Sequence, residues 1–169
     1  MSRRPFTNRR PLDPRMVNVL FDANAFDRLA DGNEVDRLLA LQADGKINLI
    51  APQGVRREVQ HPNTPKAIRD VVSLQIFALP TELNSEERQE LARIRAILQG
   101  NAASDKHAAD AQHVFEAAKY GGGYFVTHDR RINHTKRQEL EAVLPPSLWI
   151  VTLLEFLSIY DRYELEHPR

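Results

Sequence analysis

Short apolar runs alternate with longer amphipathic stretches along this chain. Five runs predict strands, because each is short, apolar and bounded by polar or turn-forming residues: 17–21, 47–51, 74–79, 124–127 and 148–151. Helical spacing of apolar residues predicts helices at 23–30, 33–43, 52–61, 64–74, 85–98, 105–120, 137–143 and 152–160. Strands that keep alternating with helices predict an α/β fold, with a parallel sheet covered on both faces.

Individual residues predict where several helices begin and end. Asn33 is a plausible N-cap for the helix 33–43, and Gly45 should stop that helix. Gly100 should likewise end the helix 85–98. The glycine run 121–123 predicts a flexible turn into the next strand.

The bulk composition is that of an ordinary globular protein. The 169 residues are 42% hydrophobic and 27% charged, which suits one domain with a substantial core. The chain has no cysteine, so disulfides, thiolate metal sites and thiol nucleophiles are excluded. No apolar run approaches the roughly 18 residues that span a bilayer, and prolines interrupt the basic N-terminus. We therefore expect a cytoplasmic protein without a membrane partner.

Charge is unevenly distributed although the formal net charge is zero. Residues 1–15 hold five arginines against one aspartate, about +4, and predict a basic, flexible arm before a single domain at 16–169. The arm either binds phosphate or is a solvated terminus, and the sequence leaves both possibilities open. A second basic group follows the strand 124–127 and is a candidate substrate contact: Arg130, Arg131, Lys136 and Arg137.

Four acids are candidates for one site. Asp22 and Asp129 each follow a predicted strand, where ligands of open α/β sheets bind. Asp110 lies four residues before Val114 on the apolar stripe of its helix, so its charge needs a partner. Glu58 lies at the edge of a buried helix face. Carboxylates brought together repel one another, and a divalent cation would relieve that repulsion, so we expect a metal-dependent hydrolase.

Each acid also has a simpler explanation. Asp22 could merely cap the following helix, Asp129 could be a turn residue, and a helical Glu58 is usually solvated. Two neighbours are candidate supporting residues: Asn24 for an amide oxygen or hydrogen bond, and Thr127 for orienting Asp129 or the substrate.

Other chemistries find less support in the sequence. His113 shares one side of a helix with Asp110, but we expect it to be a packing histidine, and no zinc motif is present. The phosphate-binding loop and the serine nucleophile motif are also missing. Receiver domains have an acidic doublet after the first strand, whereas this chain has the single acid Asp22 there. Haloacid-dehalogenase-like phosphatases have the motif Asp-x-Asp, and this chain has Asn24 in place of the second Asp.

Four short motifs occur in a characteristic order: Leu20-Phe21-Asp22-Ala23-Asn24, Arg57-Glu58-Val59, Asp110-Ala111-Gln112 and Val126-Thr127-His128-Asp129. In this order the chain resembles the PIN-domain nucleases, a group that includes the VapC-type toxins, over residues 16–160. The resemblance implies a three-layer α/β/α sandwich with a central, mainly parallel sheet. It also implies that Asp22, Glu58, Asp110 and Asp129 bind Mg²⁺ or Mn²⁺ and that Asn24 and Thr127 order the site.

The function that follows is a metal-dependent endoribonuclease that hydrolyses RNA, and the toxin of a toxin–antitoxin pair is one form that it could take. The resemblance further implies an antitoxin protein partner and self-association as a homodimer. A helical insertion at about 62–100 and the N-terminal arm depart from the compact toxins. The alternative is a PIN-like module that binds RNA or a protein without cleaving it.

Overall fold

The computed structural model describes residues 11–22, 25, 28–51, 62, 66, 69, 82–103, 107–119 and 123–169. The elements in chain order are β1 (Asn18–Phe21), α1 (Arg28–Ala43), β2 (Asn48–Ile50), α2 (Ser85–Gln99), α3 (Ala108–Lys119), β3 (Gly123–Val126), a π-helical turn (Arg131–Thr135), α4 (Arg137–Val143), β4 (Leu148–Val151) and α5 (Leu153–Glu166). Helices therefore separate each described strand from the next, and α2 and α3 follow one another between β2 and β3.

The described strands form one parallel sheet in the order β2-β1-β3-β4. The central strand β1 places Leu20 between Ile50 of β2 and Phe125 of β3. From β1 the chain goes first to one neighbour, β2, and later to the other, β3. The strand order thus reverses between β1 and β3, and the crevice beyond their carboxyl ends is where open α/β sheets bind ligands.

Alternate residues of the strands enter two separate cores. On one face Val19, Phe21, Tyr124 and Val126 pack with α1 and α5. On the other face Leu20, Phe125 and Ile150 pack with α2, α3 and α4. Because the central strands are apolar on both sides, helices must cover both faces. The fold is a three-layer α/β/α sandwich, as the sequence predicts.

Most described elements match their predicted positions. The predicted strands at 17–21, 47–51, 124–127 and 148–151, and the helices at 85–98 and 137–143, are confirmed to within about one residue. The helix predicted at 105–120 is observed over Ala108–Lys119. The predicted helices at 52–61 and 64–74 and the strand at 74–79 lie outside the described residues, apart from isolated positions.

The N-terminal helices differ from the prediction. Instead of one helix ending at residue 30 and another beginning at Asn33, α1 runs unbroken from Arg28 to Ala43. Gly32 costs about 1 kcal/mol inside a helix, but burial of Val35, Leu38 and Leu41 on the sheet outweighs that cost. Asn33 is exposed within the helix and does not cap it.

The C-terminal helix is longer than predicted, and one turn has no counterpart in the prediction. The helix α5 continues beyond residue 160 to Glu166, because Tyr163 on its next turn is also buried. Thr152 caps its start and forms a capping box with Glu155. The π-helical turn Arg131–Thr135 follows the site-bearing strand β3 and carries the buried Ile132.

Part of the predicted arm belongs to the domain. The Tyr124 hydroxyl donates to the Leu12 carbonyl, and the Tyr163 hydroxyl donates to the Pro11 carbonyl. Arg15 contacts Asp13 at 2.9 Å and Glu164 at 3.2 Å. Residues 11–15 of the predicted arm therefore pack on β3 and α5, and residues 1–10 lie outside the described residues.

Gly123 permits the close approach of β1 and β3. Its φ is +117°, and a Cβ at this position would lie 2.0 Å from the Asn18 carbonyl oxygen. A side chain there would push the two central strands apart. The last glycine of the predicted turn is thus the first residue of β3, and it sets the spacing of the two strands that carry the site.

Candidate metal centre

Asp22 lies at the switch point of the sheet. Its backbone N–H donates to the Val126 carbonyl at 2.9 Å, which extends the pairing of β1 and β3 by one step. The residue is 4% exposed. Its Oδ1 lies 3.0 Å from His113 Nδ1, and its Oδ2 accepts a hydrogen bond from the Thr127 hydroxyl at 3.2 Å. The carboxylate is held on both oxygens, as a buried charge requires.

Asp110 and His113 reach the same place from α3. They are three residues apart and therefore share one side of the helix. One ligand atom each from Asp22, Asp110 and His113 lies within 4.8 Å of the other two. Together these residues form a buried to half-buried cluster that could hold a metal ion. We call it the Asp22–Asp110–His113 cluster.

The electrostatics of the cluster favour a proton or a cation. Burial raises the pKa of the Asp110 carboxyl above its ordinary value, a hydrogen bond with His107 opposes that shift, and the charges of Asp129 and Asp22 raise the pKa further. The His107 contact, from Nδ1 to Asp110 Oδ2, is 3.3 Å long. The ionised form of Asp110 is thus less favourable in the folded protein than in water.

Asp129 is close enough for its charge to raise the pKa of Asp110, but it is not a member of the cluster. Its N–H donates to the Thr127 hydroxyl oxygen at 3.1 Å, and its Oδ1 accepts a hydrogen bond from the Arg131 N–H at 2.7 Å. Its carbonyl accepts from the Asn133 N–H at 2.9 Å. Asp129 therefore caps the turn that follows β3, which is the simpler role that the sequence allowed. No described residue donates to its Oδ2, which leaves that oxygen available to a ligand.

Thr127 links the two acids that follow the strands. It is fully buried, and its hydroxyl donates to Asp22 while accepting from the Asp129 N–H. The Asn133 side chain donates to the Thr127 carbonyl at 2.8 Å and ties the following turn to the end of the strand. Thr127 thus contacts both acids, whereas the sequence suggested only that it orients Asp129 or the substrate. Two further candidates, Glu58 and Asn24, lie outside the described residues.

The four basic candidates are placed in different ways. Arg131 donates from its guanidinium to the carbonyls of Leu98 and Gln99, the latter at 2.9 Å, and so binds the C-terminus of α2. The Lys136 ammonium lies 3.1 Å from Glu139 Oε1. Arg137 lies 2.9 Å from Glu141 and 3.5 Å from Glu155. Arg130, directly after Asp129, is exposed and has no ion pair with any described residue.

His113 is the member of the cluster that the sequence did not predict. The sequence predicts a packing histidine, and its side chain is indeed only 3% exposed, but its ring nitrogen faces Asp22 from 91 residues away. The available signal was its position three residues after Asp110, on the side that faces the sheet. At 3.0 Å, His113 Nδ1 either donates its proton to the Asp22 carboxylate or presents its lone pair to a cation that both groups share.

The residues present fit a divalent metal ion. Two carboxylates and an imidazole are a donor set that first-row ions accept, and the cluster is largely shielded from water.

In a comparison with known proteins, no family model and no curated protein matches this chain. Separately, no helix within the described ranges has the length and apolar character needed to cross a membrane.

Proposed function

We propose that this protein is a metal-dependent endoribonuclease of the PIN-domain type. The observation that carries the proposal is the convergence of Asp22, from the end of β1, with Asp110 and His113, from α3, within 4.8 Å at the switch point of the sheet. Such a cluster costs stability unless a cation or a proton neutralises it. The order of the four acidic motifs supports nuclease chemistry over other uses of a metal.

The residues have distinct tasks in this proposal. Asp22 and Asp110 hold the ion, and Thr127 keeps the Asp22 carboxylate in place through its hydroxyl. Asp129, fixed by Thr127 and Arg131, offers its Oδ2 at the rim. A bound divalent ion would lower the pKa of a coordinated water and neutralise charge on the phosphoryl oxygens. Glu58 would complete the acidic set.

Substrate binding needs cations near these acids. Arg130 is the best placed of the four basic candidates, because it is exposed next to Asp129, whereas the other three contact groups of their own chain. The phosphate of an RNA strand at the cluster could pair with Arg130 while its scissile bond approaches the ion. An antitoxin partner, a homodimer and a toxin role belong to the proposal through the family resemblance alone.

Cleavage of single-stranded RNA in Mn²⁺ tests the function. Asp22→Asn, Asp110→Asn and Asp129→Asn should each reduce cleavage to the level seen with chelator, because each keeps the size of the side chain but loses its charge. Asp44→Asn is the matched control: Asp44 is exposed and precedes β2, at the amino ends of the parallel strands, whereas the cluster lies at their carboxyl ends. Circular dichroism of each variant should be unchanged.

Two results would contradict the proposal. Cleavage that survives both chelator and Asp22→Asn would exclude the metal-dependent mechanism. A wild-type protein that binds RNA but leaves varied RNAs intact would favour the non-cleaving binding module instead.

A further inference from the structure

We infer that His113 is a direct nitrogen ligand of the metal ion, so that the site selects Mn²⁺ and similar first-row transition ions over Mg²⁺. This inference rests on the metal centre of the proposed function and changes its chemistry. The sequence predicted an all-oxygen site, which suits Mg²⁺. The cluster observed in the described residues instead contains an imidazole.

The separations of the ligand atoms are compatible with one shared ion. Bonds of about 2.1 Å place two ligand atoms of one ion at most about 4.2 Å apart. Asp22 Oδ1 and His113 Nδ1 are 3.0 Å apart, which is within this limit. The Asp110 ligand atom lies within 4.8 Å of both, so a small shift of its side chain is enough to bring it to the same ion.

Burial makes His113 a fixed partner of the cluster. The His113 and Asp22 side chains are 3% and 5% exposed, so water has little access between them. Asp129, whose Oδ1 accepts a hydrogen bond from the Arg131 N–H, is not a member of this cluster. Among the described residues, His113 therefore offers the third metal-ligand atom beside the Asp22 and Asp110 carboxylates. Imidazole binds Mn²⁺ and later first-row ions better than Mg²⁺, which prefers oxygen.

Pulsed electron paramagnetic resonance of the Mn²⁺-loaded wild-type protein is the direct test. A coordinated imidazole couples its nitrogen nucleus to the Mn²⁺ electrons, and protein labelled with ¹⁵N-histidine should replace the natural nitrogen pattern with that of ¹⁵N. This measurement needs neither a substitution nor catalytic activity. It therefore stays decisive even if a His113 variant fails to fold.

Substitutions assign the signal to one histidine. His113→Asn should abolish the nitrogen coupling, raise the Kd for Mn²⁺ by about 10- to 100-fold, and leave the Kd for Mg²⁺ much less changed, because an amide oxygen can replace the nitrogen as a ligand. His107→Asn is the matched control, since His107 directly precedes α3 and contacts Asp110 without belonging to the cluster. It should keep both the coupling and the preference for Mn²⁺.

The outcomes separate this inference from the proposed function. If Mn²⁺ binds the wild type but no histidine nitrogen is coupled, or if the coupling survives His113→Asn, then His113 only hydrogen-bonds Asp22 and the inference is overturned while the metal centre stands. An equal loss of Mn²⁺ and Mg²⁺ affinity in His113→Asn would also overturn it. If Mn²⁺ does not bind the wild type saturably, the metal centre itself is refuted, and the inference with it.

Discussion

Asp110→Asn removes one of two carboxylate charges from the cluster and should stabilise the metal-free protein. The ligand atoms of Asp22 and Asp110 are at most 4.8 Å apart. Two unit charges at that distance repel by about 3.5 kcal/mol at an effective dielectric constant of about 20. The Asp110 side chain is 28% exposed, so solvent screens part of this repulsion. We expect the free energy of unfolding to rise by about 1–2 kcal/mol, or about 2–8 °C in Tm.

The pH dependence follows from the direction of the pKa shift. Because the pKa of Asp110 is raised on folding from its ordinary value of 3.8, the folded state binds more protons than the unfolded state between the two values. The stability contributed by this group is complete below 3.8 and is lost as the pH rises through the raised pKa. The advantage of the Asn variant should therefore be present near neutral pH and vanish in acid.

Metal should reverse the order of stability. A divalent ion at a hundredfold excess over its Kd stabilises the wild type by about 2.7 kcal/mol, or about 5–11 °C. Asp110→Asn should lose most of this gain, because one of the ligands becomes a neutral amide. Thermal unfolding with and without Mn²⁺ measures both effects, and Asp44→Asn should behave like the wild type. The reasoning is refuted if the Asn variant is less stable without metal and still gains the full Mn²⁺ shift.

Two further predictions concern residues around the cluster. Arg131→Met should lower the free energy of unfolding in urea by about 1.5–3 kcal/mol, because the C-terminal carbonyls of α2 lose a charged hydrogen-bond donor. Arg130→Met is the control and should leave the free energy of unfolding nearly unchanged. Equal effects of the two substitutions would show that the Arg131 hydrogen bonds contribute little. Deleting residues 1–10 should lower the log–log salt slope of RNA binding by roughly 0.7 for each phosphate that the arm neutralises, and should leave Tm unchanged. Deleting residues 1–15 should also lower Tm, because it removes the contacts of Leu12 and Arg15 with the domain. An unchanged salt slope would show that the arm is a solvated tail.

Local pattern was enough to predict most of the sheet and several helices. The strands are short apolar runs that pack on both sides, so their buried character is visible without knowing their neighbours. The helix α2 has a clear apolar stripe and an N-terminal capping box at Asn84 and Glu87. The unbroken α1 could not be predicted in this way. Gly32 locally disfavours a helix, and the burial of the apolar face of α1 against the sheet outweighs that effect.

The sequence by itself determined the kind of fold and two acids of the cluster. Asp22 ends an apolar strand and Asp110 lies on an apolar helix face, and both signals depend on residues within one turn or one strand. Tertiary structure alone decided that His113 joins them, since its ring meets Asp22 across 91 residues. It also decided that Arg131 binds the end of α2, at carbonyls 32 and 33 residues away. Partners so distant along the chain leave no local periodicity, because their contact depends on how the strands and helices pack.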